Sequence, residues 1–287
     1  MTIRNPIEWG TDQLRFAAHA MEEASHAVYH QEEDVDSLRP AVHRITVADI
    51  WDVLAKGFAD FAACRTDVIL LCLLYPIIGL IVERFAFGYE MLPLLFPIAS
   101  GFTLVGPVAA LGLYEMSRRR EQGQEVSWTD AFGVFHSPSF GAIAVVAFML
   151  IGLYVLWLIA ADIIYQVTLG PQSPVSIPAF LHDVLTTGAG WTMIGVGIGV
   201  GFLFAVLAMA LSVVALPLLL DRPVGVDTAI WTSIWAVATN PGPMAVWALT
   251  VTAALVLGAI PLFVGLMVVL PVLGHATWHL YRRLVPH

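Results

Sequence analysis

The stretch 140-FGAIAVVAFMLIGLYVLWLIAA-161 decides the fold class, because its 22 residues include no charged side chain. A helix needs about 20 mostly apolar residues to cross the hydrocarbon core of a bilayer. Uncharged runs recur along the chain, at 68–82, 91–114, 189–220, 243–260 and 262–281. The first becomes long enough if Arg84 extends its charged end toward the membrane surface. The pattern predicts an all-α, polytopic membrane helix bundle of about six transmembrane helices.

The overall composition indicates the same class. Of the 287 residues 59% are hydrophobic and 12% are charged, and the mean hydropathy is +0.81. Soluble domains carry about twice that share of charged residues. The net charge of −9 offers no basic surface to a phosphate backbone, which argues against a nucleic-acid partner. Two cysteines, Cys64 and Cys72, are too few for a disulfide framework or a thiolate metal site.

Charge divides the chain into an arm, residues 1–45, and a membrane domain, residues 46–287. The arm carries eight acids against four arginines, and we expect one amphipathic helix over 11–30 and no cleavable signal peptide. An anionic cytoplasmic leaflet repels such a segment. We therefore expect the arm to dock on a basic cytoplasmic surface, either of a partner or of the arginines at 118–120.

The basic residues set the predicted topology. Most of them flank one side of the runs, as at Lys56, Arg118 and Arg222, with Arg84 as the exception, and the loop 166–188 has no lysine or arginine. Positive residues stay cytoplasmic. Both termini are therefore predicted to be cytoplasmic in a bacterial inner membrane. Two crossings after Arg222 then give six spans, and a five-span alternative would place the final arginine pair outside.

Three stretches, at about 46–120, 126–222 and 227–287, have the same order of segments, which predicts a pseudo-threefold repeat. The alternative is three independent hairpins that share only the residue types common at membrane edges. Each begins with a short interfacial amphipathic helix, followed by a polar break and a hydrophobic hairpin. In the first unit the apolar stripe is Val47, Ile50, Leu54, Phe58 and Phe61, and the polar stripe is Asp49, Asp52, Lys56 and Asp60. The predicted breaks are 64–67, 136–139 and 240–242. Ser127 with Asp130 predicts a capping box, and Asp227 a helix cap.

His275 and His279 lie four residues apart on one helix face and are the candidate metal or haem ligands. Two histidines that hold a haem must come from different helices at matched depth, and His136 and His182 do not supply that depth. The alternative is a pair of interfacial histidines that hydrogen-bond to neighbouring helix ends. We expect no metal and no cofactor.

The sequence argues against transport and catalysis. Each acid of the predicted spans lies at a span end, so the mid-membrane carboxylate of ion-coupled transporters is missing. No Ser-His-Asp arrangement, HExxH or P-loop is expected, and we expect no enzyme activity. Glycines four apart instead predict close helix packing within the chain or with another subunit: Gly195, Gly197, Gly199 and Gly201.

Four segments in matching order resemble a bacterial integral-membrane family of unknown function, over roughly residues 45–285. They are 63-ACRTD-67, 112-GLYEMSRR-119, 218-LLLDR-222 and 274-GHATWHLYR-282. Some members of that family are labelled putative cytochrome c oxidase subunits. Since two candidate histidines are too few for a haem-copper catalytic centre, the resemblance implies at most an accessory role and assigns no catalytic residue.

The leading hypothesis from the sequence is a non-catalytic accessory, assembly or scaffold subunit beside a larger membrane complex. Its expected partners are membrane lipid and other membrane-protein subunits or a second copy of the chain. The alternatives are a small-solute permease or channel, and, more weakly, haem or metal binding through His275 and His279.

Overall fold

The computed structural model describes residues 40–72, 93–172, 174–260 and 264–286, and the regular elements within these ranges are helical. The predicted helix over 11–30, residues 73–82 of the predicted run 68–82, and Arg84 lie outside them. The helices are α1 (Val47–Cys72), α2 (Leu95–Ala109), α3 (Leu111–Glu121), the 3-10 helix Trp128–His136, α4 (Phe140–Thr168), α5 (Ile177–Thr186), α6 (Gly188–Ser212), α7 (Ala215–Asp221), α8 (Val226–Thr239), α9 (Pro241–Ala259) and α10 (Leu266–Leu284).

Among the described residues, three helical stretches are long and apolar enough to cross a membrane. They are Phe140–Thr168, Gly188–Asp221 and Pro241–Ala259. Each coincides with an uncharged run of the sequence, which confirms a helical membrane protein. The full count of six spans stays a prediction.

The helices form a bundle with one arginine-rich end, where Arg118–Arg120, Arg222, Arg282 and Arg283 lie. The start of α1 and the end of α10 meet there, since the His43 amide donates to the Leu284 carbonyl at 2.8 Å. Asn240, between α8 and α9, pins the same segment: its Oδ1 accepts from the Ile45 amide at 2.8 Å.

The predicted polar break at 64–67 is wrong, because α1 continues as one helix from Val47 to Cys72. In the apolar stripe predicted for α1, Ile50 and Phe61 are buried in the protein and Phe58 is 57% exposed, as a helix lying in the membrane interface allows. Asp60, assigned to the polar stripe, is buried. It is buried because α10 packs along that side of α1, and His279 of α10 and Ser117 of α3 donate hydrogen bonds to the carboxylate.

The amphipathic segments of the second and third units form as helices with small differences. Asp130 accepts from the Ser127 amide at 2.8 Å, as a capping box requires, and the segment that follows is a 3-10 helix. Helix α8 begins after Gly225, so Asp227 lies in its first turn rather than at the cap. The loop 166–188 contains α5, which the sequence analysis did not predict. The threefold repeat itself stays a prediction.

Candidate functional site

The candidate site is a buried polar cluster at the arginine-rich end, where α1, α3 and α10 meet. Glycines bring these helices close. A Cβ added to Gly57 would lie 2.6 Å from the Ala276 amide nitrogen, and one added to Gly274 would lie 2.5 Å from a methyl carbon of Leu113. The facing side chains of the three helices are therefore within hydrogen-bond reach of one another.

Asp60 on α1 is the centre of this cluster. Its Oδ2 accepts from Ser117 Oγ of α3 at 2.7 Å and from His279 Nε2 of α10 at 2.8 Å. Its Oδ1 lies 3.3 Å from Nε of Arg120. One carboxylate thus holds three donors from two other helices. Charge-assisted hydrogen bonds of this kind are the strong class.

Burial raises the free energy of the charged Asp60 carboxylate, but the hydrogen bonds from His279 and Ser117 outweigh that cost. Together they hold the pKa of Asp60 below its ordinary value. Asp60 is therefore an ionised group at neutral pH, and the cluster is built around a fixed negative charge.

His275 extends the cluster toward the interior. Its Nδ1 lies 2.8 Å from Ser117 Oγ, and the Ser117 proton already points to Asp60. Nδ1 must therefore carry the proton and donate to Ser117. The other ring nitrogen, Nε2, is buried and finds no hydrogen-bond partner among the described residues.

The structure thus assembles a serine, a histidine and an aspartate, which the sequence analysis did not expect. The residues come from three helices that are remote in sequence, so no local motif announces them. Their order differs from that of a hydrolase, in which the histidine accepts the serine proton and the aspartate orients the histidine. Here Ser117 donates directly to Asp60, and Ser117 is 1% exposed. This arrangement holds Ser117 in place and does not activate it.

A second ionic group joins α3 to the 3-10 helix. Glu115 is buried and binds two arginines: Arg118 donates through Nε and Nη2 at 2.8 and 2.9 Å, and Arg119 donates through Nε at 2.7 Å. Arg119 Nη1 also donates to Asp130 at 2.6 Å. The Glu115 hydrogen bond raises the pKa of Arg118.

A third group joins the end of α10 to α7 and α3. Tyr281 donates to Asp221 at 2.6 Å, and Arg282 Nε donates to Glu121 at 3.0 Å. The indole of Trp278 donates to the same glutamate at 3.0 Å. Arg222, next to Asp221, donates to the Pro286 carbonyl at 2.9 Å. The last turn of α10 is therefore anchored by charge on two sides.

The predicted site residues are placed as follows. His275 and His279 point to Ser117 and Asp60, so the structure supports hydrogen bonding to neighbouring helices for this pair. Among the described residues no three His, Cys, Asp or Glu side chains are arranged to hold a metal ion. Of the four glycines, Gly201 faces Trp157, since a Cβ built at Gly201 would lie 3.1 Å from the indole ring. Within the described ranges no atom lies within 4 Å of a Cβ built at Gly195, Gly197 or Gly199.

Comparison with known proteins finds a match for the middle of the chain. No curated protein and no solved structure matches it. Residues 95–221, from the start of α2 to the end of α7, match the model of the family described as predicted integral membrane protein (DUF2189). This segment includes Ser117, Arg120 and the Glu115 group, while Asp60, His275 and His279 lie on either side of it. The chain is an integral membrane protein whose central 95–221 segment is similar to that family of unknown function.

Proposed function

We propose that this protein is a non-catalytic subunit of the bacterial inner membrane, with an accessory, assembly or scaffold role beside a larger complex. Association with a respiratory or other electron-transfer complex is the version that the sequence resemblance favours. The observation that carries the proposal is that the hydroxyl groups of the apolar helices and the buried carboxylates of the described bundle bond to the protein itself.

The hydroxyl groups of the apolar helices illustrate this point. Thr192, Ser212, Thr250 and Thr252 each donate to the carbonyl four residues earlier in their own helix, at 2.6–2.9 Å. Ser100 donates to the Pro97 carbonyl at 2.9 Å. Hydroxyl side chains in the apolar helices are the groups that could line a solute path. With their protons directed at helix backbone, they offer a passing solute few donors, which weighs against a permease.

The ionisable groups support the same role. The Asp60 cluster and the third group connect helices that are remote in sequence, and the Glu115 group joins α3 to the 3-10 helix that follows it, so their charge contributes to holding the arginine-rich end together. A catalytic role would require a polar group that substrate can reach, and Ser117 and His275 are buried. We therefore propose that Asp60, Ser117 and His279 are structural residues.

The experiment that tests the proposal is purification of the C-terminally tagged chain from native membranes in mild detergent, followed by identification of co-purifying proteins. We expect a defined set of membrane-protein subunits in constant ratio to the tagged chain. A chain lacking residues 1–40 is the matched variant, because we propose that the acidic arm contributes to docking. It should insert equally well and recover less of the partner.

Two outcomes would contradict the proposal. Recovery of the tagged chain alone under several mild detergents would exclude a stable complex. Solute-selective flux in proteoliposomes that hold the purified chain by itself would make the permease the better hypothesis. Equal recovery of the partner by the full and the truncated chain would refute only the docking role of the arm and would leave the accessory role standing.

A further inference from the structure

A cavity of about 440 Å³ opens at the arginine-rich end, apart from the Asp60 cluster. Its volume falls within the range of about 300–1,000 Å³ that small-molecule sites span. The polar lining comes from three parts of the chain: Arg118, Arg119, His136, Ser137, Ser139 and Arg222. Two candidate spans have one end here: the first begins at Phe140, at the start of α4, and the second ends at Asp221, at the end of α7. The cavity therefore lies at the level where the bundle leaves the membrane.

The three arginine side chains are each held in place by a hydrogen-bond acceptor within the protein. Glu115 binds Arg118 and Arg119 from the buried side, and Arg222 is fixed by the Pro286 carbonyl. Each guanidinium keeps one terminal nitrogen that donates no hydrogen bond within the described residues. The arginine side chains remain 25–30% exposed. A guanidinium fixed on one side and open on the other is suited to bind an anion, because little side-chain entropy is lost on binding.

The charges around the cavity favour a small oxyanion. Glu115 and Asp221 also line it, so two carboxylates stand against three guanidiniums. Glu115 is 3% exposed and is covered by its arginines, and Asp221 is 7% exposed and accepts from Tyr281. The accessible charge is therefore positive. The hydroxyl groups of Ser137 and Ser139 add donors to the lining.

Exposed aromatic side chains adjoin two lining residues in sequence, since Phe135 precedes His136 and Phe140 follows Ser139. Phe135 is 62% exposed and its ring centroid lies 5.5 Å from that of Phe140, while Phe132 stacks on Phe135 at 6.3 Å. Aromatic rings are enriched where a membrane protein meets the lipid headgroups. An acyl chain can lie across these rings while its headgroup reaches the arginines.

We propose that this cavity binds a phosphate group, and that the group belongs to the headgroup of an anionic phospholipid. Basic pockets between membrane helices are the usual place for such headgroups. The arginines act as donors in charge-assisted hydrogen bonds to the phosphate oxygens. The three phenylalanines select a lipid over free phosphate.

The test uses the full chain in detergent and measures its unfolding temperature against three probes. They are phosphatidylglycerol, a diacylglycerol with the same acyl chains, and inorganic phosphate. We expect a saturable rise with phosphatidylglycerol and no rise with the diacylglycerol, which lacks the phosphate. A rise with inorganic phosphate but not with phosphatidylglycerol would keep the phosphate site and overturn the lipid assignment.

Two pocket variants and a control locate the binding. Arg222→Gln removes one guanidinium, and Gly133→Ala places a Cβ 2.9 Å from Nη2 of Arg119 and displaces that group without changing charge. Each should weaken phosphatidylglycerol binding about tenfold or more. Arg283→Gln removes a charge from the same end, where Arg283 pairs with Asp49 and Asp52, and should change binding less than twofold.

Equal binding by the wild type and both pocket variants would overturn the proposal. So would lipid binding that appears only after residues 1–39 are removed, since the acidic arm would then be the occupant in the full chain. Native mass spectrometry provides an independent readout: one phosphatidylglycerol per chain is expected for the wild type and is lost in Arg222→Gln.

Discussion

Nε2 of His279 lies 2.8 Å from Oδ2 of Asp60, although 219 residues separate the two in the chain. This hydrogen bond joins α1, the first described helix, to α10, the last. The Asp60 carboxylate also accepts from Ser117 of α3, so one buried anion connects three helices. Loss of that anion leaves several buried donors without an acceptor, which costs more than the loss of one hydrogen bond.

Replacement of Asp60 with alanine should destabilise the bundle by about 3 kcal/mol, because it breaks a buried charge pair and leaves its partners unsatisfied. The matched control is Asp52→Ala on the same helix, where the carboxylate is 48% exposed and pairs with Lys56 and Arg283. An exposed pair contributes about 0–1 kcal/mol. Chemical denaturation in detergent measures both; equal effects of the two substitutions would refute a central role for Asp60.

The acid sensitivity of the 3-10 helix should depend on Asp130. The backbone amide of Ser127 donates to this carboxylate, and the bond lowers the pKa of Asp130 from its ordinary value of 3.8. A lowered pKa stabilises the fold above the unfolded-state value, and that contribution is lost as the pH falls through the folded-state value.

The stability difference between the wild type and Asp130→Asn should therefore stay constant from pH 7 to about pH 5 and shrink below about pH 4. Thermal unfolding across this pH series measures it, with Asp227→Asn as the control in an exposed first turn. A difference that instead shrinks between pH 7 and pH 5 would show that another group is responsible.

Close helix packing predicts opposite effects for two glycines. At Gly57 a new Cβ meets the backbone of α10, at 2.6 Å from the Ala276 amide and 2.7 Å from the Val272 carbonyl. Gly57→Ala should therefore separate α1 from α10 and lower the unfolding temperature markedly. Gly199→Ala places its methyl group in open space among the described residues and should be neutral or stabilising, since alanine favours a helix by about 1 kcal/mol over glycine.

The comparison also tests the packing role predicted for Gly195, Gly197 and Gly199. If Gly199→Ala lowers stability or changes the oligomeric state, another surface packs on this face. If it does neither, these three glycines are not packing residues, and Gly201 against Trp157 is the contact that remains of the predicted set.

The apolar architecture could be predicted from sequence because lipid imposes a simple rule. A run without charge and long enough to cross must be helical, and the runs at 140–161, 189–220 and 243–260 confirm it. The break predicted at 64–67 failed because a polar tetrapeptide does not end a helix that neighbouring helices support. Helix α5 was missed although Ser176 caps it and Pro178 lies in its first turn, both of which are start signals.

The polar cluster was harder to predict, and Asp60 shows why. Its spacing from Asp52 and Lys56 matches a solvated stripe, and the buried face becomes visible only when α10 is placed beside Gly57. His275 and His279 were recognised as unusual, but their partners on α1 and α3 are remote in sequence. Local pattern identifies the residues that need a partner, and tertiary packing decides which partner they find.

The purified protein should be colourless. His275 donates through Nδ1 to Ser117 and His279 donates through Nε2 to Asp60, so each histidine already uses one ring nitrogen to bind a neighbouring helix. Absorption spectra of the chain purified from native membranes test this expectation. A haem band that is lost in His275→Ala and kept in His136→Ala would make cofactor binding the better hypothesis.

The predicted topology can be tested directly at two exposed positions, one at each end of the helix bundle. Val175 lies 87% exposed in the loop before α5, and Glu125 lies exposed in the loop after α3 at the arginine-rich end. In a background of Cys64→Ala and Cys72→Ala, single cysteines at these positions are treated with a membrane-impermeant maleimide on intact spheroplasts and on inverted vesicles. Because basic residues are retained in the cytoplasm, Val175→Cys should react in spheroplasts and Glu125→Cys in inverted vesicles.

A cysteine after Pro286 should behave like Glu125→Cys, since α10 ends beside Arg222. Reaction of that terminal cysteine in spheroplasts would contradict the cytoplasmic C-terminus and restore a five-span arrangement.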